Sequence, residues 1–354
     1  MRAASLARRV ARATQVAVRR AAMSFADRAI ILLYHRIAEC RPDPHLLCVS
    51  PKHFAAHLEI IQRWGTPLAL RDLTAGLRAG RIPARSVALT FDDGYADNLT
   101  QALPLLERAH MPATIYASAG YLRGGEPYGD ELQRLILLRP DLPPEFGLHL
   151  GRTEVRWNAK ISHLGAAPDA NFQAWPDSAR ERIYLEVCEI LRGLSAEERQ
   201  RVMQELRATF DGRVPSPSRS PMLSRDELRQ LAAQPLIEIG SHAFNHVVLA
   251  NLEASAQAEE IGRGLRLLEE ALGRKVESFA YPYGSPWDVG QRTIAIVREL
   301  GLREACANTP GQVVRGSNRY WLPRFLVRDW DGAEFERQLR SFYRPQPARE
   351  AARD

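Results

Sequence analysis

Two groups of residues in this 354-residue chain have types and spacing suited to chemistry. Thr90-Phe91-Asp92-Asp93-Gly94-Tyr95 sets two adjacent carboxylates at the end of the apolar run Ser86-Val87-Ala88-Leu89. Like charges this close raise each other's pKa, so the pair is better tolerated when a cation neutralises one member and leaves the other free to move protons. Gly94 then lets the backbone turn tightly. Taken alone, Asp-Asp-Gly is more often an exposed turn or a helix cap than a site. The second group, Ile239-Gly240-Ser241-His242-Ala243-Phe244-Asn245-His246, also follows an apolar run, and its histidines are four apart. On a helical turn that spacing puts both imidazoles on one face, where they can bind one cation. The two groups strengthen each other, because two histidines and a carboxylate are a frequent ligand set for a catalytic zinc with open positions for water and substrate.

Such residues need elements to bring them together. Short apolar segments at 29–34, 86–91, 113–117, 236–240 and 277–281 read as strands. Between them, 51–64, 96–109, 252–272 and 289–301 carry apolar residues at three and four spacing, the pattern of crossover helices. This alternation implies a parallel sheet or barrel. Residues 124–222 break the rhythm with proline-rich loops, a hairpin pattern around 148–157 and a charged helical run over 178–209. They read as an insertion that packs against the body and shapes a substrate groove. The expected organisation is a basic leader over 1–28, a barrel over 29–330 containing that insertion, and a C-terminal helix and disordered tail over 331–354.

The formal charge of +6 lies in the leader, since residues 1–28 hold seven arginines and one aspartate. The remaining chain has no basic surplus to follow a phosphate backbone, which argues against a nucleic-acid partner. No apolar run reaches the roughly 18–20 residues that cross a bilayer. Arginines at 8, 9, 12, 19 and 20 interrupt any signal-peptide core. Leu6, Val10, Ala13 and Ala17 recur at helical spacing among them, which suits either a helix lying on an anionic membrane or a solvated tail. The expected location is cytoplasmic, with peripheral contact at the inner membrane as the alternative. Cys40, Cys48, Cys188 and Cys306 are scattered and read as incidental thiols, with a Cys40–Cys48 disulfide as the lesser alternative.

Phe91-Asp92-Asp93-Gly94-Tyr95, His242-x-x-x-His246 and Phe279-Ala280-Tyr281-Pro282-Tyr283-Gly284 come in this order, each after a strand. Together they resemble the polysaccharide deacetylase family, also called the NodB homology domain or carbohydrate esterase family four. The resemblance covers residues 29–330. It implies an α/β fold, a distorted barrel of about seven strand and helix units of the (β/α)7 type. The site would lie at the strands' C-terminal ends and hold a divalent metal, often zinc. It further implies Asp92 as base, Asp93, His242 and His246 as metal ligands, and the Tyr95 N–H as an oxyanion donor. Tyr283 is a candidate for substrate contact; Tyr281, Trp321 and Trp330 either stack on sugars or pack in the core.

Two positions depart from the family pattern. Ala280 stands where the third motif has an arginine that orients the base. Arg324, in Trp321-Leu322-Pro323-Arg324, is the candidate replacement; otherwise it is a surface ion-pair residue. No histidine follows His246 to act as acid. Leu33-Tyr34-His35-Arg36 resembles the tyrosine-histidine pair of one branch of the family, which makes His35 the candidate acid, or else a hydrogen-bonded structural histidine. His53 and His57, also four apart, lie on an amphipathic segment and read as ordinary helix residues. The expected activity is metal-dependent removal of N-acetyl groups from amino sugars in a polysaccharide or carrier-linked glycan, releasing acetate. The alternatives are a glycan-binding pseudoenzyme, and an esterase or small-amide hydrolase on the same scaffold. Arg324 and His35 discriminate the enzyme from the binder, because only an enzyme needs both at the metal.

Overall fold

Along β1 (Arg28–Tyr34) the side chains part by two-residue alternation. Ala29 and Ile31 face an interior cluster with Ala88, Tyr116 and Cys306, whereas Ile30, Leu32 and Tyr34 join a larger cluster beneath the helices. A strand apolar on both sides is one covered on both sides, as in parallel sheets. The same holds for β2 (Ser86–Phe91), which is buried throughout. With β3 (Ala113–Ala117), β4 (Ile237–Ser241), β5 (Ser278–Ala280) and β6 (Glu304–Cys306), these strands form a parallel sheet in the order β6-β5-β4-β3-β2-β1. A last strand, β7 (Phe325–Leu326), lies parallel to β1 on its other side, and Leu322 just before it bridges in parallel to Cys306 of β6. The sheet therefore curls until residues 322–326 link its two edges, giving the distorted α/β barrel expected. This computed structural model describes residues 28–139, 142–151, 153–158, 178–210 and 221–344.

Helices cover the outer face. Helix α1 (Pro51–Trp64) starts where the Ser50 hydroxyl accepts from the His53 N–H and Pro51 takes the first turn. It buries Phe54, Leu58 and Ile61 on the sheet. Its His57 is no surface residue, for its ring stacks on Phe335 at 3.9 Å and its Nε2 reaches the Trp330 carbonyl at 2.7 Å.

Between β3 and β4 the chain builds a second apolar cluster of its own, around Leu135, Phe146, Trp157, Val187, Leu191 and Leu206. A short helix, α2 (Tyr128–Leu132), leads into it, and strands Glu145–Leu150 and Thr153–Asn158 pair as an antiparallel hairpin. The helical run expected over 178–209 is two helices, α3 (Ala179–Gly193) and α4 (Ala196–Thr209). Ser195 divides them, since its hydroxyl accepts from the Glu198 N–H while the Glu198 carboxylate accepts from the Ser195 N–H, a reciprocal cap that starts a new helix. Beyond β4 follow α5 (Ala254–Leu272), α6 (Gln291–Glu299) and α7 (Gly332–Phe342).

One reading of the sequence needs correction. Cys40 and Cys48 are joined in a disulfide, with Cα atoms 6.1 Å apart, rather than standing as incidental thiols. The short strands Arg36–Ile37 and Cys48–Val49 pair in parallel and bring the two cysteines together, a proximity set by pairing and not by spacing. The leader up to residue 27, segments 159–177 and 211–220 within the insertion, and the tail from 345 lie outside the described residues. No helix among the described residues is long and apolar enough to cross a membrane.

Candidate active site

Parallel register fixes which residues share the barrel's C-terminal rim. Tyr34 pairs with Phe91, Phe91 with Ile115, and Ala117 with Ser241. The residues one step beyond these strands, His35, Asp92 and His242, therefore emerge at one end. The Asp92 N–H donates to the Tyr34 carbonyl at 3.0 Å and the His242 N–H to the Ala117 carbonyl at 3.0 Å, so both turns begin on the ladder itself.

Asp92 is 3% exposed and meets Arg324, which is fully buried. The guanidinium donates from Nη1 to Oδ1 and from Nη2 to Oδ2, each at 2.7 Å, in the bidentate geometry that fixes a carboxylate's plane. Its Nε donates to the Ala307 carbonyl at 2.9 Å and its Nη1 also reaches the Thr90 hydroxyl at 3.2 Å. The alternative of a surface ion pair for Arg324 is thereby excluded. Burial pushes the Asp92 carboxyl up, but the Arg324 charge, joined by that of His242, outweighs it and holds the group below the usual carboxylate range.

Asp93, His242 and His246 converge beside this pair. Asp93 Oδ1 lies 3.4 Å from His242 Nε2 and 3.2 Å from His246 Nε2. One ligand atom from each lies within 4.8 Å of the others. His242 Nδ1 is 2.7 Å from the Ala280 carbonyl, so that nitrogen carries the proton and Nε2 turns a lone pair toward Asp93. Asp93 Oδ1 is buried and without a hydrogen bond among the described residues. Acceptors facing one another in this way fit a cation between them.

The loop that carries the histidines is not the helical turn expected from their spacing. His242 follows β4 directly, and Ala243 and His246 both have left-handed backbone, with φ of 61° and 53°. The rings meet edge to face at 4.9 Å because the loop doubles back, not because they share a helix face. Glu260 of α5 holds this turn from one side, accepting from the N–H groups of Phe244 and Asn245. Gly264, one helical turn on, lets the helix approach so closely that a Cβ there would stand 2.6 Å from the Ala243 carbonyl. Asp93 also has φ of 73°, beside Gly94 at 82°.

The remaining candidates lie around this centre. His35 feels both aspartates, Arg324 and His242, and burial lowers its pKa despite the two carboxylates. Its Nδ1 is buried and unpartnered among the described residues. The Tyr95 hydroxyl donates to Asp130 at 2.9 Å, and Arg36 lies over its ring at 4.4 Å. Tyr283 packs edge to face on His246 at 4.7 Å, and its hydroxyl shares a hydrogen bond of 2.9 Å with that of Tyr128. Tyr281 is buried against Phe279 and Trp321 and donates to the Tyr320 carbonyl, so it is core and not a sugar platform. Glu260, Tyr128 and Arg36 carried no signal in the sequence, because each is a lone polar residue in or beside an otherwise ordinary element.

Comparison with known proteins gives the following likenesses. Residues 79–136 and 200–305 match the family model described as polysaccharide deacetylase. A stretch of 88 residues, 24% of this chain, is 35% identical to the curated protein YxkH of Bacillus subtilis (strain 168), of which it spans 30%. Among solved structures, the chain resembles IcaB from Ammonifex degensii, with TM-score 0.55 and 18% identity over 90% of this chain and 98% of that one. It also resembles the Streptococcus pyogenes deacetylase PplD in complex with acetate, with TM-score 0.53 and 16% identity over 89% and 99%. A de-N-acetylase from Aggregatibacter actinomycetemcomitans gives 0.54 and 13% over 88% and 100%. The chain thus shares its fold with these deacetylases along most of its length, and two of its segments match the polysaccharide deacetylase family model.

Proposed function

We propose that this protein hydrolyses N-acetyl groups on amino sugars of a polysaccharide or carrier-linked glycan, releasing acetate and a free amine. The observation that carries this reading is the pair of neighbouring aspartates with opposite environments. Asp93 faces two imidazole nitrogens, and Asp92 faces a bidentate arginine. Asp93, His242 and His246 would hold a divalent cation, zinc by its preference for such a set. When bound, that cation supplies Lewis-acid polarisation of the acetyl carbonyl and of the hydrolytic water.

The chain's own groups do the rest. Asp92, kept ionised and oriented by Arg324, accepts the proton of the attacking water. The Tyr95 N–H has no hydrogen-bond partner among the described residues and is the donor for the developing oxyanion. Such a donor contributes about 3 kcal/mol to transition-state stabilisation. His35 returns a proton to the leaving amine. Since burial favours its neutral ring, His35 has to gain that proton within the cycle. The Tyr283 ring, seated on His246, borders the sugar. Arg324 on Asp92 supports the enzyme reading over the pseudoenzyme, and His35, one residue beyond β1, is available for the acid role.

Acetate release from N-acetylated oligosaccharides is the test, with apo protein and with zinc or cobalt added. Metal-dependent release, absent in Asp92→Asn and in His242→Ala, is expected. Zinc binding without acetate across a broad glycan panel would instead favour the binder or another acyl substrate. The leader's arginines suit contact with an anionic membrane, and vesicle binding that survives deletion of residues 1–28 would exclude that role. The Cys40–Cys48 disulfide favours an oxidising compartment over the cytoplasm expected from the sequence.

A further inference from the structure

Arg199 sits on α4, in the segment between β3 and β4, and is 6% exposed. A guanidinium buried this far usually faces a carboxylate, because an unpaired buried charge is costly. Among the described residues no carboxylate lies within ion-pair distance of Arg199, and its Nε and Nη2 have no hydrogen-bond partner. Its Nη1 donates instead to the carbonyls of Asn245, at 3.4 Å, and His246, at 3.2 Å. The Tyr128 ring lies 4.6 Å beneath the guanidinium and offers the face of its π system.

These two carbonyls belong to the turn that delivers His246 Nε2 to Asp93. That turn needs external support, since left-handed backbone at non-glycine residues costs about 1–3 kcal/mol each. Glu260 already takes the N–H groups of residues 244 and 245 on one side. Arg199 takes the C=O groups of residues 245 and 246 on the other. The loop is held between an anion on its donors and a cation on its acceptors, and the cation comes from an element outside the barrel. Tyr128 adds a second link, through its hydroxyl to Tyr283 and thence to the His246 ring.

We infer that Arg199 is a positioning residue for the metal centre: by fixing the Asn245–His246 carbonyls it sets the aim of His246, and so the helical region between β3 and β4 sets the metal affinity of the barrel. Among the described residues Arg199 hydrogen-bonds no ligand atom, and it acts through the backbone of one ligand. The inference rests on Asp93, His242 and His246 being the metal set.

The test uses the full chain, stripped with chelator, with zinc affinity read by competition against a chromophoric chelator and ligand geometry by the visible absorption of the cobalt form. Loss of an outer partner of a metal ligand typically weakens binding about 10–100-fold, and Arg199→Met is expected in that range with an altered cobalt spectrum. Arg199→Lys, which keeps the charge but not the fork, is expected several-fold weaker than the parent. Leu206→Ala loosens the core of the same helix away from the loop; it should lower the melting temperature and leave zinc affinity alone. Parental affinity, within about twofold, and an unchanged cobalt spectrum in Arg199→Met would overturn the inference. Should that variant not fold by far-UV circular dichroism, parental zinc binding by Arg199→Lys overturns it, as does a Leu206→Ala loss equal to that of Arg199→Lys. A parent that binds no zinc, or binds it equally well as His242→Ala, would instead remove the metal set on which the inference stands.

Discussion

Replacing Arg324 with methionine keeps an unbranched apolar stem in place of the arginine's aliphatic part and removes a cation that no water reaches. In the parent, two bonds of 2.7 Å tie it to Asp92, which is itself 3% exposed. At an effective dielectric constant of about 20 the attraction between such a pair is about 4 kcal/mol, and breaking a buried pair costs about 3–5 kcal/mol because the survivor keeps its desolvation penalty. The Ala307 carbonyl and the Thr90 hydroxyl also lose a donor, at about 1 kcal/mol each. Arg324→Met is therefore expected to lower unfolding stability by at least about 3 kcal/mol. Asp92→Asn alone leaves the guanidinium buried without its anion and should cost a similar amount. The double variant removes both charges and should lose less than the sum of the singles by about 2–3 kcal/mol. Urea unfolding of the four proteins, all in chelator so that metal does not contribute, measures this cycle. A single-variant cost below about 1 kcal/mol, or a double variant equal to the sum, would refute the claim that this pair is a coupled unit.

Zinc at about 100 times its dissociation constant should add about 2.7 kcal/mol to parental stability; His242→Ala should show no such gain, and an equal gain in both would place the metal elsewhere. Burial lowers the pKa of His57 to about 4 against about 6.5 in the unfolded chain, so the unfolded state binds the extra proton between these values. Stability from this group is complete above about pH 6.5 and is lost as pH falls toward 4, by about 3 kcal/mol in all. In His57→Phe, which can keep the stack on Phe335, stability measured at pH 7 and 4.5 should fall less than in the parent, and identical falls would contradict the assignment. Gly264→Ala should gain about 1 kcal/mol of helix propensity, yet its Cβ meets the Ala243 carbonyl at 2.6 Å. A net loss of melting temperature together with weaker zinc binding is expected; a stabilised variant with parental zinc affinity would show that the loop yields freely.

The candidates Asp92, Asp93 and His242 were legible because they follow directly on strands. Apolar runs ending in Asp92-Asp93 and in Ser241-His242 mark the place where a parallel strand gives way to a loop, and parallel register then puts such ends on one rim. Residue types at those ends follow from local sequence alone. The sequence was less informative about geometry within a loop. His242 and His246 have helical spacing, but Ala243 and His246 take left-handed backbone, supported by Glu260 and by the close approach at Gly264, neither of which a spacing rule contains.

What the sequence by itself determined is the barrel and the carboxylate and imidazole candidates that its strand ends bring to one rim, because periodicity and strand-end motifs are local properties. What only the tertiary structure decided is which distant residues complete the centre. Arg324 is 232 residues from Asp92 and reaches it because the barrel closes through residues 322–326. Arg199 reaches the His246 turn because α4 is held against it, and Cys40 meets Cys48 because two short strands pair. In each case the partner is an ordinary residue type chosen by proximity after folding, and the energy of burying its charge or closing its loop is set by surroundings that no local pattern encodes.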